Sequence, residues 1–188
     1  MTENNQATVH VAGTLQSVGG RGVIRMEGRY DTDIEDLWSA LTEPQRLARW
    51  IAQVDGDLRL GGEFKATFTS TWEGSGRVDV CEPPRHLVVT MCPRQEDETI
   101  WVANLATDGD QTILVIEDRG LPLDELASHG AGWQAHFEDL AAHLAGRDPT
   151  NWHARWIELT PSYRAMPVGR ASSGHNSHDP LTETTSAD

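Results

Sequence analysis

Residues 41–64 read LTEPQRLARWIAQVDGDLRLGGEF. Thr42 stands where a helix cap is expected and Pro44 is tolerated in a first turn, so PQRLARW predicts a short helix presenting Leu47 and Trp50. The stretch closes on the pair Gly61 and Gly62, after which Phe64, Ala66, Phe68, Ser70 and Trp72 alternate with polar residues, as in a strand buried on one face. A helix gives way to a sheet within two dozen residues. Trp50 and the glycines are therefore expected at the corner between them, as one wall of an apolar cavity.

Upstream of that corner, GVIRMEGRY (22–30) reads as a strand. DTDIEDLWSAL (31–41) follows, with Ile34, Leu37, Trp38 and Leu41 at helical spacing and Thr32 and Glu35 at the spacing of a capping box. Downstream, Gly74 and Gly76 are expected to turn the chain into GRVDVC. The turn EPPR, the strands HLVVTMC and TIWVANL, the hairpin signal TDGD and the strand QTILVIED complete an antiparallel meander over 57–118. The linker RGLPLDELASHGAG leads to a long helix, WQAHFEDLAAHLAG (133–146), with an apolar stripe of Trp133, Phe137, Leu140, Ala141 and Leu144 and Gly146 as its cap. This order predicts an α+β fold: a curved antiparallel sheet wrapped around a long C-terminal helix, with two short helices after the first strand. Small residues such as Ala66, Ala103 and Gly62 would leave the concave side incompletely filled.

The chain of 188 residues suits one domain. We divide it into a loose leader over 1–19, the main domain over 20–147, an amphipathic helix over 148–166 and a disordered tail over 167–188. Asn151 as cap, Trp152, Trp156 and Leu159 on one face and Pro161 as a stop define that helix. With 15 basic against 29 acidic residues, the net charge of -14 disfavours nucleic acid and anionic membrane surfaces as partners. The sequence has no apolar run of spanning length and no secretory leader, which predicts a cytoplasmic protein. Cys81 and Cys92 would sit roughly 20 Å apart along one hairpin, too far for a disulfide, and free thiols fit a reducing compartment.

The segments TEPQRLARW, GGEF, GRVDVCEPPRHLVVT and GAGWQAHFEDLAAHLAG, in this order, resemble the bacterial branch of the family related to the activator of the Hsp90 ATPase, within the START/Bet v 1-like (SRPBCC) superfamily. The resemblance covers roughly residues 22–146, and NWHARWIELTPSY is similar to a C-terminal extension of some bacterial members. It implies a helix-grip fold with a deep cavity between sheet and terminal helix, a scaffold that other members use for lipids, hormones, polyketide intermediates or partner proteins. Fold alone does not fix which.

The candidate ligand-binding residues are Trp50, Phe64, Phe68, Trp72, Trp101, Trp133, His136, Phe137 and Leu140. Each also has a plain reading as core. Seven tryptophans favour an apolar or aromatic ligand over a small polar one. His136 and His143 edge the stripe of the long helix on one side, about 10 Å apart and too distant to share a metal. His136 is either a satisfied flank histidine or a proton-transferring group at the cavity mouth. Glu117 and Asp118 beside Arg119 are either a solvated cluster or a holder for a polar ligand group, and His129 is expected to be solvated in the linker.

No phosphate loop, nucleophile elbow, HExxH, CxxC or dinucleotide fingerprint is present, so no metal site and no cofactor is expected. The leading reading is a non-enzymatic binder of a hydrophobic or aromatic small molecule. Two others stay open: a cyclase or dehydratase-like enzyme using His136 or Glu117 in the same cavity, and an interaction protein, such as a chaperone accessory or a homodimer joined through the C-terminal helix.

Overall fold

The computed structural model describes residues 10–170. Among these residues nine strands form one unclosed sheet in the order β3-β4-β5-β6-β7-β8-β2-β1-β9. In chain order they are β1 (Val11–Val18), β2 (Arg21–Tyr30), β3 (Ala52–Gly56), β4 (Glu63–Phe68), β5 (Glu73–Glu82), β6 (His86–Met91), β7 (Thr99–Asp108), β8 (Gln111–Leu121) and β9 (Val168–Arg170). All pairs are antiparallel except β1 with β9. The helices are α1 (Ile34–Thr42), α2 (Pro44–Leu47), α3 (Leu126–Leu144) and α4 (Trp152–Ala165).

Strand alternation decides which side is core. On β2, Ile24, Met26 and Tyr30 are buried on the face toward α3, and on β8 Thr112, Leu114, Ile116 and Asp118 share that face. Phe137 and Leu140 of α3, both fully buried, press into it. Gly28 makes the closest approach possible, since a Cβ there would lie 2.9 Å from Cδ1 of Phe137. This is the helix-grip architecture: a long helix held in the concavity of a curved sheet.

Several boundaries differ from the sequence reading. The loose leader contains β1, joined to β2 by Gly19 and Gly20, both at positive φ. Such a two-glycine loop matches the twist of a tight hairpin, a signal the sparse apolar content had masked. β3 is an additional strand between Trp50 and the glycine pair, so the corner is in fact two corners. Gly61, at φ +79, and Gly62 make the β3–β4 turn, where a Cβ on Gly62 would meet Asp57 O at 2.4 Å. Gly74 and Gly76 lie inside β5 rather than in a turn, because the rings of Trp72 and Phe64 lie over them, each within 2.3 Å of where a Cβ would stand. The turn itself falls at Thr71, with φ 70, so Ser70 and Trp72 are beyond the end of β4.

The caps also differ. Asp33, not Thr32, caps α1 by accepting from Asp36 N, while Thr32 Oγ1 donates to Asp36 Oδ2. Glu43 precedes α2, and Thr42 Oγ1 instead donates to Trp38 O.

The linker glycines Gly130 and Gly132 belong to α3, which starts at Leu126. They are tolerated there because α4 needs their bareness. A Cβ on Gly130 would lie 2.5 Å from Tyr163 Cδ1, and one on Gly132 3.2 Å from Trp152. α4 therefore docks in cis on the outer face of α3. Trp152 Nε1 donates to Gly132 O, Trp156 Nε1 to Ser128 O and Tyr163 OH to Gln134 Oε1, while Arg155 pairs with Glu138. Asn151 caps α4 as expected, but Pro161 does not end it. The carbonyl that loses its partner is that of Ile157, which is exposed, so water can replace the missing bond. The expected disordered tail begins with β9 at 168–170, and its remainder, like residues 1–9, lies outside the described residues.

Gly130→Ala should destabilise the chain by about 1 kcal/mol, because overpacking against the buried Tyr163 ring outweighs the gain in helix propensity. Chemical denaturation checks this. The same change at exposed Gly146, at φ +66, would act through backbone strain alone.

Candidate functional site

On the other side of α3, toward β3–β7, the core is incomplete. A partly open cavity of about 110 Å³ lies between the sheet, the α1–α2 corner and the first half of α3. The alternating inward residues of six strands, β3–β8, reach it. In register across the sheet, Val54 faces Ala66, Leu87 faces Ala103, and Ala103 faces Ile116. Ala66 and Ala103 are too short to fill the curvature, which is why space remains. Gly62, the third small residue singled out in the sequence, does not border it.

The aromatic wall is continuous. Phe68 meets Trp101 edge-on at 5.7 Å between ring centroids, and Trp101 meets Trp133 of α3 at 4.9 Å. Trp50 closes the corner, buried, with its Nε1 donating to Ala40 O at 3.0 Å. Of the nine sequence candidates, the structure brings Trp50, Phe64, Phe68, Trp101 and Trp133 together around the cavity.

The other four lie elsewhere. Trp72 follows the β4 turn, is 42% exposed, and packs on the outer edge of Phe68. Phe137 and Leu140 serve the main core one turn further along α3. His136 stands behind the Trp50 wall and does not reach the cavity mouth. Its Nδ1 donates to the carbonyl of Trp50 at 3.3 Å, which fixes the tautomer because a carbonyl can only accept. The rings of Trp50, Trp133 and Trp152 surround it. Burial pushes its pKa down to about 4, only partly opposed by the bond to Trp50, so the imidazole is neutral near pH 7.

Glu117 is also outside the cavity. It lies on the outer face of β8 and pairs with Arg119. Its neighbour Asp118 points inward, 2% exposed, and accepts from Trp133 Nε1 at 3.0 Å. His129, expected in a solvated linker, is on α3 with Nδ1 3.8 Å from Asp118 and Nε2 3.4 Å from Glu125. Burial opposes its protonation, but the two carboxylates outweigh it and raise its pKa.

Alternation could have identified the residues the sequence reading missed. Leu87 and Val89 on β6, Val54 on β3 and Ile116 on β8 each occupy the inward phase of their strand. Arg46 fixes the corner: Nη1 donates to Asp36 O, Asp36 Oδ1 and Ser39 Oγ, and Nε donates to His143 Nε2 at 3.2 Å. Thr42 is the one hydroxyl-bearing side chain of the lining, and its proton is committed to Trp38 O. Among the described residues no cluster of three or more His, Cys, Asp or Glu could hold a metal, and no helix is long and apolar enough to cross a membrane.

Solved structures share this architecture. CalU16 from Micromonospora echinospora superposes with a TM-score of 0.68 at 26% identity, covering 84% of this chain and 97% of that one. The BPP1335 protein from Bordetella parapertussis gives a TM-score of 0.65 at 22% identity, over 89% and 96% of the two chains. DynU16, from the dynemicin biosynthetic locus, gives 0.62 at 23%, over 68% of this chain and 48% of that one. Among curated proteins none matches the sequence. The helix grip, the apolar cavity beneath α3 and a family model, "Activator of Hsp90 ATPase homolog 1-like protein", that matches residues 31–145 agree, and the chain belongs to that family.

Proposed function

We propose that the chain binds a hydrophobic or aromatic small molecule between the sheet and α3. The observation that carries this reading is the lining itself: apolar side chains from six strands, α1, the α2 corner and α3, with three indoles among them and no titratable group. Shape and aromatic contact are what such a surface offers a ligand. Acid-base chemistry would need a group at the cavity wall. The two candidates for it, His136 and Glu117, are both directed elsewhere. The free thiols of Cys81 and Cys92 support placement in the reducing cytoplasm.

Naphthalene serves as a probe, with one ring inside the cavity and the other toward its opening. Titration should quench tryptophan fluorescence saturably at one molecule per chain, because Trp50, Trp101 and Trp133 border the space. Native mass spectrometry of the purified protein should show any co-purified molecule as added mass that disappears on denaturation. Failure of naphthalene to produce a saturable change would overturn the reading.

A further inference from the structure

Among the described residues, two buried polar side-chain atoms have no hydrogen-bond partner: Nε1 of Trp101, a donor, and Oδ1 of Asp118, an acceptor. Their residues are directly opposed, Trp101 on β7 in register with Asp118 on β8. Opposed residues of an antiparallel pair put their side chains on the same face. That face is the inner one, because Asp118 Oδ2 accepts from Trp133 Nε1 of α3 and Trp101 packs against the Trp133 ring. Both indoles border the cavity.

The rest of the carboxylate is accounted for. Oδ2 takes the Trp133 proton, and His129 Nδ1 lies 3.8 Å from that same oxygen. Oδ1 is left as a lone acceptor on the residue directly opposite that of the lone donor, and the donor's indole borders the apolar cavity. Buried polar groups are very rarely unpaired, so such a pair calls for a partner. The partner must accept from an indole N–H and give a proton to a carboxylate through one small group. An ether or ketone cannot donate, a carboxylate would be repelled by Asp118, and an ammonium cannot accept. A hydroxyl does both.

We propose that Trp101 Nε1 and Asp118 Oδ1 together bind a ligand hydroxyl, so that the cavity selects hydroxylated aromatic molecules over bare hydrocarbons. This rests on the reading of the cavity as a ligand site. The matched probes are naphthalene and 2-naphthol. In a purely apolar site 2-naphthol would bind more weakly, because its hydroxyl would lose water without replacement. With the anchor, it should bind about fivefold or more tightly than naphthalene, as expected for a hydrogen bond to a charged acceptor.

The second readout is the Trp101 indole N–H resonance, assigned by its disappearance in Trp101→Phe. It should move downfield with 2-naphthol and not with naphthalene. In both Trp101→Phe and Asp118→Asn the ratio of the two affinities should fall toward one, each variant serving as its own reference. Asn keeps an oxygen for Trp133 while replacing the free acceptor by an NH2 group. Equal binding of the two probes by the wild-type chain, or an unmoved indole resonance, overturns the anchor while leaving the cavity reading in place. If neither probe binds, both fall together.

Discussion

Ala103→Phe should weaken naphthalene binding by roughly 30-fold or more while leaving the protein at least as stable as before. Ala103 lies on the sheet side of the cavity between Leu87 and Ile116, and its methyl group is one of two that leave the space unfilled. A benzyl group there occupies the volume the probe would take, and removing most of the apolar contact of one aromatic ring corresponds to about 2 kcal/mol. Filling a pre-existing void with apolar atoms is ordinarily neutral or stabilising. Ala106→Phe is the control, on the same strand but exposed on the outer face, and should change neither quantity. Fluorescence titration and thermal melts of the two variants decide the matter. Unchanged affinity in Ala103→Phe would place the probe, and the site, elsewhere.

The second large effect is on stability against pH. His136 is held neutral in the core with its pKa lowered to about 4, against about 6.5 in an unfolded chain. Between those values the unfolded state binds the extra proton, so the contribution of this group to stability is fully present above pH 6.5 and is lost as the pH falls toward 4. The loss is about 2–3 kcal/mol by pH 4.5. Other groups titrate in the same window, and burial raises the pKa of Asp139, so the comparison must be internal. His136→Gln keeps a donor for the Trp50 carbonyl but does not titrate. Urea unfolding at pH 7 and pH 4.5 should show the wild-type chain losing about 2–3 kcal/mol more than this variant across the interval. Parallel losses in the two proteins would mean that His136 is protonated in the folded state.

The class of fold was legible because long periodic segments dominate it. The α3 stripe, the β7–β8 hairpin at TDGD and the alternation of β4 each carry one clear period over many residues. What escaped the sequence reading was tertiary in origin. β1 has only Leu15 buried, and its place depends on pairing with β2. Gly74, Gly76, Gly130 and Gly132 read as turn or linker punctuation, yet each sits in a regular element to clear a ring: that of the adjacent turn residue Trp72 at Gly74, and those of Phe64, Tyr163 and Trp152 at the other three. The aromatic lining of the cavity followed from alternation. The placement of His136 did not, because helical angle locates a side chain relative to its own axis, whereas α4 covers the flank that the angle left facing solvent. Trp72 failed for a simpler reason: the strand that would have aligned it with Phe68 ends first.

The two sides of the cavity are held very differently. α3 is clamped between the sheet and α4, with ring contacts over bare glycines and an Arg155–Glu138 pair, so it is a stiff wall. Among the described residues β3 is an edge strand of five residues with β4 as its one neighbour, and it continues from a helix of a single turn. Its free edge makes it the compliant wall. The resting volume is therefore a floor and not a ceiling: a molecule too large for it can be admitted by displacing β3 and the α2 corner outward, with the register of the other strands left intact.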